Sequence, residues 1–203
     1  MEKIMYEKYV KNILDRILAL LGLIILSPIF LLTALAIKIE EPKGKVFFIQ
    51  ERSGMGARPF SCIKFRSMST DAPKNAATWE LANADSYITK VGSFIRKTSI
   101  DELPQLINII KGDMSIVGPR PVILKETELI NLRKEYGAIN VRPGITGLSQ
   151  ISGRDNLPPK KKAETDGEYA ANVTFLNDFK IILKTIPQVL AGEGISEGKK
   201  EDF

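Results

Sequence analysis

A long apolar segment lies near the start of the chain. Residues 17–37 contain no charged side chain, and this length matches the roughly 20 helical residues that cross the hydrocarbon core of a bilayer. Ser27 and Pro28 lie at its middle, where a proline removes one helical hydrogen bond and clashes with the preceding turn. The pattern predicts either two short apolar helices or one kinked helix, with the break at Ser27 and Pro28.

The charges on both sides of this segment bear on its topology. Basic residues precede it at positions 3, 8, 11 and 16 and follow it at positions 38, 43 and 45. Because basic flanks stay on the cytoplasmic side of a membrane, a hairpin that enters and leaves on that side satisfies both flanks. The alternatives are a kinked transmembrane anchor and a secretory signal cleaved near 34–36. The signal is disfavoured because signal apolar regions are usually about 7–15 residues long.

The rest of the chain alternates short strand and helix patterns. Apolar runs bounded by turn residues predict strands over 45–50 and 59–65, and apolar residues at helical spacing predict helices over 100–111, 121–136 and 174–191. Polar residues predict a loop over 69–85, and glycine and proline predict a structured turn region over 142–154. The predicted fold class is α/β, mostly helical with one short strand pair.

These patterns divide the chain into three parts. We assign a helix-break-helix unit to residues 1–40, a compact domain to residues 41–195, and a charged, frayed tail to residues 196–203.

The composition excludes several kinds of chemistry. The chain has no histidine, so Ser-His and Cys-His nucleophilic pairs, imidazole bases and His-ligated zinc sites are ruled out. The single cysteine, Cys62, cannot form an internal disulfide, and we expect a small buried apolar side chain. Catalysis must then use carboxylates, lysine, arginine, hydroxyls or a bound ion, and hard oxygen ligands favour Mg²⁺ or Mn²⁺.

An acidic pair, Asp101 and Glu102, lies at the start of the predicted helix 100–111. Ser99 and Glu102 have capping-box spacing. Asp101 as N-cap, with Pro104 at the third helical position, is the competing assignment. In both, the positive end of the helix dipole favours ionised carboxylates. A capped helix explains this spacing but leaves the basic residues around the pair unexplained.

Six basic residues accompany the acidic pair, three of them in Gly/Pro-rich turns: Lys64, Arg66, Arg96, Arg120, Arg142 and Arg154. Cations held in rigid loops suit a phosphate or a diphosphate. A carboxylate beside them can attack phosphorus or hold a magnesium ion on the diphosphate, while the cations stabilise the leaving phosphate. The chain contains neither a Walker A loop nor a kinase signature, so ATP-driven phosphoryl transfer is unsupported.

Four long motifs resemble, in the same order, those of the bacterial sugar transferase family, the monotopic phosphoglycosyl transferases. They are KFRSM at 64–68, SIDELPQL at 99–106, LINIIKGDMSIVGPRP at 106–121 and RPGITGLSQISGR at 142–154. The resemblance covers nearly the whole chain, whose length is similar to that of small members with the catalytic core alone. Residues 155–162 depart from the family pattern, which has a tryptophan there, and include a lysine run at 160–162.

The resemblance implies a two-step transfer. Asp101 aligns with the nucleophile, which attacks the sugar-linked phosphate of a UDP-sugar, releases UMP and holds a covalent phosphosugar until polyprenyl phosphate, expected to be undecaprenyl phosphate, accepts it. Glu102 matches the second member of the dyad and is expected to assist magnesium binding or the acceptor step. Asp101 also helps to hold the ion. The basic residues are expected to bind phosphate and nucleotide, with Arg142 and Arg154 toward the nucleotide end.

The resemblance also implies a location and partners. The N-terminal helix is expected to be re-entrant and broken at Ser27 and Pro28, on the cytoplasmic face of a bacterial inner membrane, with amphipathic helices completing the contact with anionic phospholipid. An N-acetylated aminosugar is favoured as the sugar of the UDP-sugar donor. Nucleic acid is disfavoured, because few aromatic residues lie among the basic ones, and a homodimer is left open.

Two alternatives remain. The same product forms through a ternary complex if Asp101 is only a metal ligand. A membrane-anchored protein that binds anionic lipid without catalysis is compatible with the net charge of +5.

Overall fold

A computed structural model describes residues 5–73, 84–153 and 156–191. A π-helical turn at Tyr6–Val10 leads into the first helix, and the elements follow in chain order: α1 (Lys11–Ile25), α2 (Ser27–Glu40), β1 (Phe47–Ser53), β2 (Pro59–Phe65), α3 (Ala84–Tyr87), α4 (Lys90–Lys97), α5 (Gln105–Lys111), β3 (Ser115–Val117), α6 (Thr127–Glu135), β4 (Gly144–Thr146), α7 (Leu148–Ile151), α8 (Pro159–Ala171) and α9 (Phe175–Ala191). Within these ranges the architecture is mostly helical, which confirms the predicted α/β class, but it contains two short strand pairs where the sequence predicted one.

The N-terminal helices break at the predicted position. Leu26 lies between α1 and α2, and Pro28 occupies the first turn of α2. The Ser27 hydroxyl donates to the carbonyl oxygen of Ile24 at 2.8 Å, so the serine satisfies a carbonyl near the end of α1. The two helices are bent by 61°. No single described helix is long and apolar enough to cross a membrane, and within the described ranges only the bent pair has the length and composition to do so.

The antiparallel hairpin of β1 and β2 provides one wall of the molecule. Gln50 lies opposite Cys62 in the register, and because side chains alternate between the faces of a strand, Gln50, Arg52, Cys62 and Lys64 share one face. Cys62 is 2% exposed and packs in the core cluster that joins α1 to α5. The expectation of a small buried side chain at Cys62 is confirmed.

Asn108 on α5 binds the open edge of β2. Its Oδ1 accepts a hydrogen bond from Ile63 N at 3.0 Å, and its Nδ2 donates to Ser61 O at 2.8 Å and to the Asp113 carboxylate at 3.3 Å. The Asn108 side chain is fully buried. Its amide therefore takes the place of a neighbouring strand, and this fixes α5 and the turn that precedes it against the hairpin.

The second strand pair is parallel and very closely packed. Val117 of β3 lies opposite Thr146 of β4, and glycines surround the pair. A Cβ atom at Gly118 would overlap the carbonyl oxygen of Arg142, and one at Gly144 would overlap the amide of Gly118. Only glycine permits this approach of two backbones.

A buried polar cluster joins α1 to the C-terminal half of the chain. Lys11 Nζ lies 2.6 Å from Asp178 on α9, and the hydroxyls of Tyr6 and Tyr169 each lie 2.8 Å from an oxygen of the same carboxylate. A buried carboxylate requires partners of this kind, because its desolvation is costly. The apolar packing of Ala19 in the α1–α5 core is thus supplemented by ionic contacts to α9.

Both predicted caps of the helix at 100–111 are wrong. Ser99 adopts a left-handed backbone conformation with φ 55° and makes no capping hydrogen bond, and Asp101 lies within a 3₁₀ turn at Ile100–Glu102. The α-helix begins only at Gln105, directly after Pro104. Proline terminates the short 3₁₀ turn and starts α5, so the acidic pair precedes the helix instead of forming its first turn.

Other boundaries also differ from the predictions. The helix expected at 121–136 shortens to α6, and the turn region at 142–154 contains β4 and α7. The sequence patterns missed α4 and α8, because their buried faces include polar residues and glycine: Gly92, Thr165, Asp166 and Gly167. Much of the predicted loop at 69–85, Arg154 and the predicted tail at 196–203 lie outside the described residues. The division of the chain at residue 40 stays a prediction.

Replacing Asn108 by leucine is expected to lower the free energy of unfolding by about 2–4 kcal/mol, because Ile63 N and Ser61 O both lose a buried partner. Denaturant unfolding of the purified protein in detergent measures the change. Asn131→Leu is the control, since Asn131 is exposed on α6 and accepts only a long hydrogen bond from Lys134. Equal stabilities of the two variants would contradict the strand-like role of Asn108.

Candidate active site

The acidic pair lies in the tight turn that precedes α5. Glu102 N donates to Ser99 O at 3.2 Å and Leu103 N donates to Ile100 O at 3.1 Å, which closes the 3₁₀ turn. The left-handed conformation of Ser99 is strained for a residue with a side chain, and strain of this kind concentrates at functional sites. The turn gives the two adjacent carboxylates different surroundings.

Glu102 is held by two cations from distant segments. Lys64 Nζ on β2 lies 2.8 Å from Glu102 Oε1, and the Arg120 guanidinium, in the loop after β3, reaches Oε1 at 3.0 Å and Oε2 at 3.4 Å. Burial raises the pKa of Glu102, but Arg120 and Lys64 outweigh this effect and hold the pKa far below its usual range. Glu102 is therefore ionised at neutral pH, and its charge offsets the repulsion between the two cations.

Asp101 has a different environment. Neither a hydrogen bond nor an ion pair from the described residues reaches its carboxylate. Burial raises the pKa of Asp101 and the charge of Glu102 raises it further, while Lys64, Arg96 and Arg120 lower it; the net result is a raised pKa. An unpaired carboxylate among three cations is available to react with, or bind beside, an anionic ligand.

Arg96 approaches the pair from the last turn of α4. Ser99 N donates to Arg96 O at 3.1 Å, so Arg96 directly precedes the strained turn. The first amides of α4, at Lys90 and Val91, donate to the Glu40 carboxylate at 2.7 Å and 3.0 Å. The end of the bent helix pair therefore fixes the helix that carries Arg96.

Arg52 is a neighbour of the site that the sequence analysis missed. Its guanidinium donates to Pro121 O at 3.2 Å and to Gln50 Oε1 at 2.7 Å, and it is close enough to Arg120 that burial and this neighbour together lower the pKa of Arg52. The sequence does contain a signal for Arg52, because strand alternation places it on the same face of the hairpin as Lys64.

The remaining predicted cations lie as follows. Arg66 Nε donates to Lys45 O at 2.7 Å at the end of the hairpin. Arg142 precedes β4, at the amino ends of the parallel strands, whereas Arg120 follows their carboxyl ends. Arg142 lines a separate pocket of about 350 Å³ with Lys8 and other residues. Arg154 is outside the described residues. The structure thus gathers Lys64, Arg96 and Arg120 around the acidic pair.

A smaller pocket of about 90 Å³ opens beside Glu102. Thr146 and Gln150 line one side of it and Thr185 and Gln188 of α9 line another. Gln150 Oε1 is buried and has no hydrogen-bond partner among the described residues. Buried acceptors of this kind are satisfied in proteins by an ordered water or by a ligand.

The donor set fits one divalent ion shared with a substrate. No group of three or more Asp, Glu, His or Cys side chains that could hold a metal exists within the described ranges. Glu102 already accepts bonds from Lys64 and Arg120, which leaves Asp101 as the open carboxylate. Mg²⁺ is commonly held by one or two carboxylates together with substrate phosphates and waters, so Asp101 suits an ion that arrives with a diphosphate.

Comparisons with known proteins identify relatives of the chain. Residues 6–192 match the bacterial sugar transferase family. The chain is 40% identical to the exopolysaccharide production protein ExoY of Sinorhizobium fredii, over 91% of this chain and 87% of the relative. It is 39% identical to the UDP-glucose:undecaprenyl-phosphate glucose-1-phosphate transferase of Caulobacter vibrioides, over 89% and 69% of the two chains.

Some relatives are much longer. The undecaprenyl-phosphate galactose phosphotransferase of Salmonella typhimurium is 38% identical over 93% of this chain, but the match spans only 42% of that protein. The chain belongs to the bacterial sugar transferase family.

Proposed function

We propose that this chain transfers a sugar-1-phosphate from a UDP-sugar to undecaprenyl phosphate and releases UMP. The observation that carries the proposal is the acidic pair, in which an open Asp101 lies next to an ion-paired Glu102. Two relatives are named for such a transfer, one of glucose-1-phosphate and one of galactose phosphate, and they support the reaction class.

In the first half of the reaction, Asp101 attacks the phosphorus that bears the sugar. A carboxylate oxygen forms the new P–O bond while the bond from this phosphorus to the bridging oxygen breaks, and UMP leaves with the electron pair of that bond. Arg96 and Arg120, whose charges act on the Asp101 carboxylate, stabilise the leaving phosphate. The product on the enzyme is an acyl phosphate that carries the sugar.

In the second half, an oxygen of undecaprenyl phosphate attacks the same phosphorus. The acyl phosphate bond breaks, Asp101 is regenerated, and undecaprenyl-diphosphate sugar is released. A phosphate acceptor is largely ionised at neutral pH, so the step needs no general base, and the absence of histidine from the chain is no obstacle. Glu102 keeps Lys64 and Arg120 in place through both halves.

Mg²⁺, or Mn²⁺ in its place, would be held by Asp101 together with the diphosphate oxygens. When bound, it neutralises charge on the diphosphate. The role of Glu102 as a further ligand stays a prediction. Its Oε1 already accepts from both Lys64 and Arg120.

A monotopic position on the cytoplasmic face of a bacterial inner membrane suits this chemistry. The face of α9 that points away from the pocket exposes five large apolar side chains: Phe175, Leu176, Phe179, Leu183 and Ile186. Amphipathic helices with a face of this kind lie in the membrane interface. Thr185 and Gln188 on the same helix line the pocket beside Glu102. The reacting groups would then lie at the membrane surface, where the phosphate of the acceptor lies.

The sugar of the UDP-sugar donor is the part of the reaction that the names of the relatives leave open. Acceptance of an N-acetylated aminosugar stays a prediction, and the two named relatives act on glucose and galactose. UMP release measured with UDP-glucose, UDP-galactose and UDP-N-acetylaminosugars decides among them. A catalytically silent lipid-binding protein would release UMP from none of these donors.

Incubation with a UDP-sugar radiolabelled in the sugar, without acceptor, is expected to label the protein and to release about one equivalent of UMP. Asp101→Asn should abolish both, because an amide is a poor nucleophile. Asp71→Asn is the matched control, since Asp71 is exposed and lies outside the turn that carries the acidic pair. If UMP appears only when acceptor is present and no label is retained, the ternary-complex mechanism is correct.

The acidic limb of the pH profile should move in opposite directions in two variants. Asp101 must be deprotonated to attack, and its pKa is raised above the ordinary 3.8. UMP release should therefore fall as the pH drops toward this raised pKa. Arg96→Gln removes a charge that lowers this pKa and should shift the limb to higher pH; Glu102→Gln removes a charge that raises it and should shift the limb to lower pH. Initial UMP release between about pH 4.5 and 8 measures both. Shifts in the same direction would exclude Asp101 as the titrating group.

Cysteine labelling tests the re-entrant topology. With the buried Cys62 replaced by alanine, Lys8→Cys and Lys43→Cys, both exposed and on either side of the bent pair, should react with a membrane-impermeant maleimide from the same side of inverted vesicles. Leu31→Cys, within the apolar segment, should stay unreactive. Labelling of positions 8 and 43 from opposite sides would establish a spanning helix instead.

A further inference from the structure

Building on the proposed transfer reaction, we propose that Arg133 and Asp166 are positioning residues that hold the loop carrying Arg120. Arg120 is the cation that contacts both oxygens of Glu102, yet its own loop, residues 118–121, contains two prolines and a glycine and belongs to no helix or strand. The position of its guanidinium therefore depends on what fixes the backbone of this loop.

Arg133 on α6 supplies that support. Its Nη1 donates to the carbonyl oxygen of Arg120 at 2.9 Å, while Nε and Nη2 donate to Asp166 Oδ2 at 2.8 Å and 2.6 Å. The Ser149 hydroxyl donates to the other oxygen of Asp166 at 2.6 Å. All three side chains are buried, Arg133 at 5% exposure and Asp166 at 1%. A planar guanidinium can reach a carboxylate and a carbonyl at once in a fixed geometry.

The start of the loop, at Val117, is held by α8, the helix that carries Asp166. Asp166 and Tyr169 both lie on α8, and the Tyr169 hydroxyl is 2.9 Å from Val117 O, directly before the loop. Gly118 N donates to Thr146 O at 2.8 Å. The loop is thus bound at Val117 from one position on α8 and, through Arg133, at Arg120 from another.

A solely structural explanation accounts for the ion pair less well. Replacement of a buried ion pair by apolar residues is often neutral or stabilising, so stability alone is weak grounds for it. What an apolar pair cannot supply is a donor to Arg120 O. The geometry points to a function for this donor: it sets the distance from Arg120 to Glu102 and hence to the Asp101 site.

The test is a double-mutant cycle between Arg133 and Arg120. Arg133→Lys keeps a cation for Asp166 but cannot bond Asp166 and the Arg120 carbonyl at once in the geometry of the guanidinium. It should lower the rate of UMP release by about 10- to 100-fold, as expected for misplacement of a catalytic group. Arg120→Gln alone should lower it by about 100-fold or more. If Arg133 acts through Arg120, Arg133→Lys should lower the rate less than about twofold in the Arg120→Gln background.

Leu129→Ala is the matched control. Leu129 is buried on α6 one turn before Arg133 and packs in the cluster that contains Val122, directly after the loop. Its truncation leaves a cavity beside the loop but keeps the Arg133 donor to the Arg120 carbonyl. Any effect it has on the rate should be equal in both backgrounds, because it reflects only a loss of packing. Equal effects of Arg133→Lys in both backgrounds would overturn the positioning role.

A second readout does not depend on activity. Hydrogen exchange of the peptide that covers residues 118–124 should become faster in Arg133→Lys than in Leu129→Ala at equal thermal stability. Unchanged exchange would overturn the proposed anchoring. Faster exchange in Arg133→Lys, together with a wild-type protein that releases no UMP from any donor, would retain the anchoring and refute the proposed function.

Discussion

The ion pairs of Glu102 are the interaction on which the site depends. Lys64 comes from the hairpin, Glu102 from the 3₁₀ turn and Arg120 from the loop after β3, so one carboxylate joins three segments that are far apart in sequence. A carboxylate that is 10% exposed is stable as an anion only because these cations face it. The cations, in turn, can lie close together in the free protein because Glu102 separates their charges. The arrangement preforms a positive site before any phosphate binds.

Two neighbouring carboxylates consequently have opposite properties. Glu102 has a depressed pKa and is saturated with ion pairs, whereas Asp101 has a raised pKa and no partner among the described residues. The difference arises from the turn and not from the residue types. In the proposed transfer, Glu102 organises the cations and Asp101 remains free to form a bond with phosphorus, as a covalent transfer without histidine requires.

The N-terminal helices are part of the same construction. α1 packs on α5, which follows the acidic pair, and Lys11 pairs with Asp178 on α9, which lines the pocket beside Glu102. α2 ends at Glu40, whose carboxylate binds the first amides of α4, the helix that carries Arg96. In the proposed monotopic arrangement, a helix pair that is built into the core in this way holds the candidate active site at a constant height above the lipid.

The sequence by itself determined the elements whose signal is local. Proline fixed the break at Ser27 and Pro28, periodicity indicated β2 and α9, and the motifs indicated the acidic pair and the cations Lys64, Arg96 and Arg120. Only the tertiary structure decided the rest. The parallel pair β3–β4, the strand-like role of Asn108, the contact of Arg52 with Pro121, and the contacts of Arg133 and Asp166 all depend on partners 13 or more residues away. The two caps expected for α5 were wrong because the chain forms a 3₁₀ turn at Ile100–Glu102 after a left-handed Ser99, and α5 begins only after Pro104. Cap propensity, which amounts to about 1 kcal/mol, is too weak to decide between this turn and a capped helix without the tertiary structure.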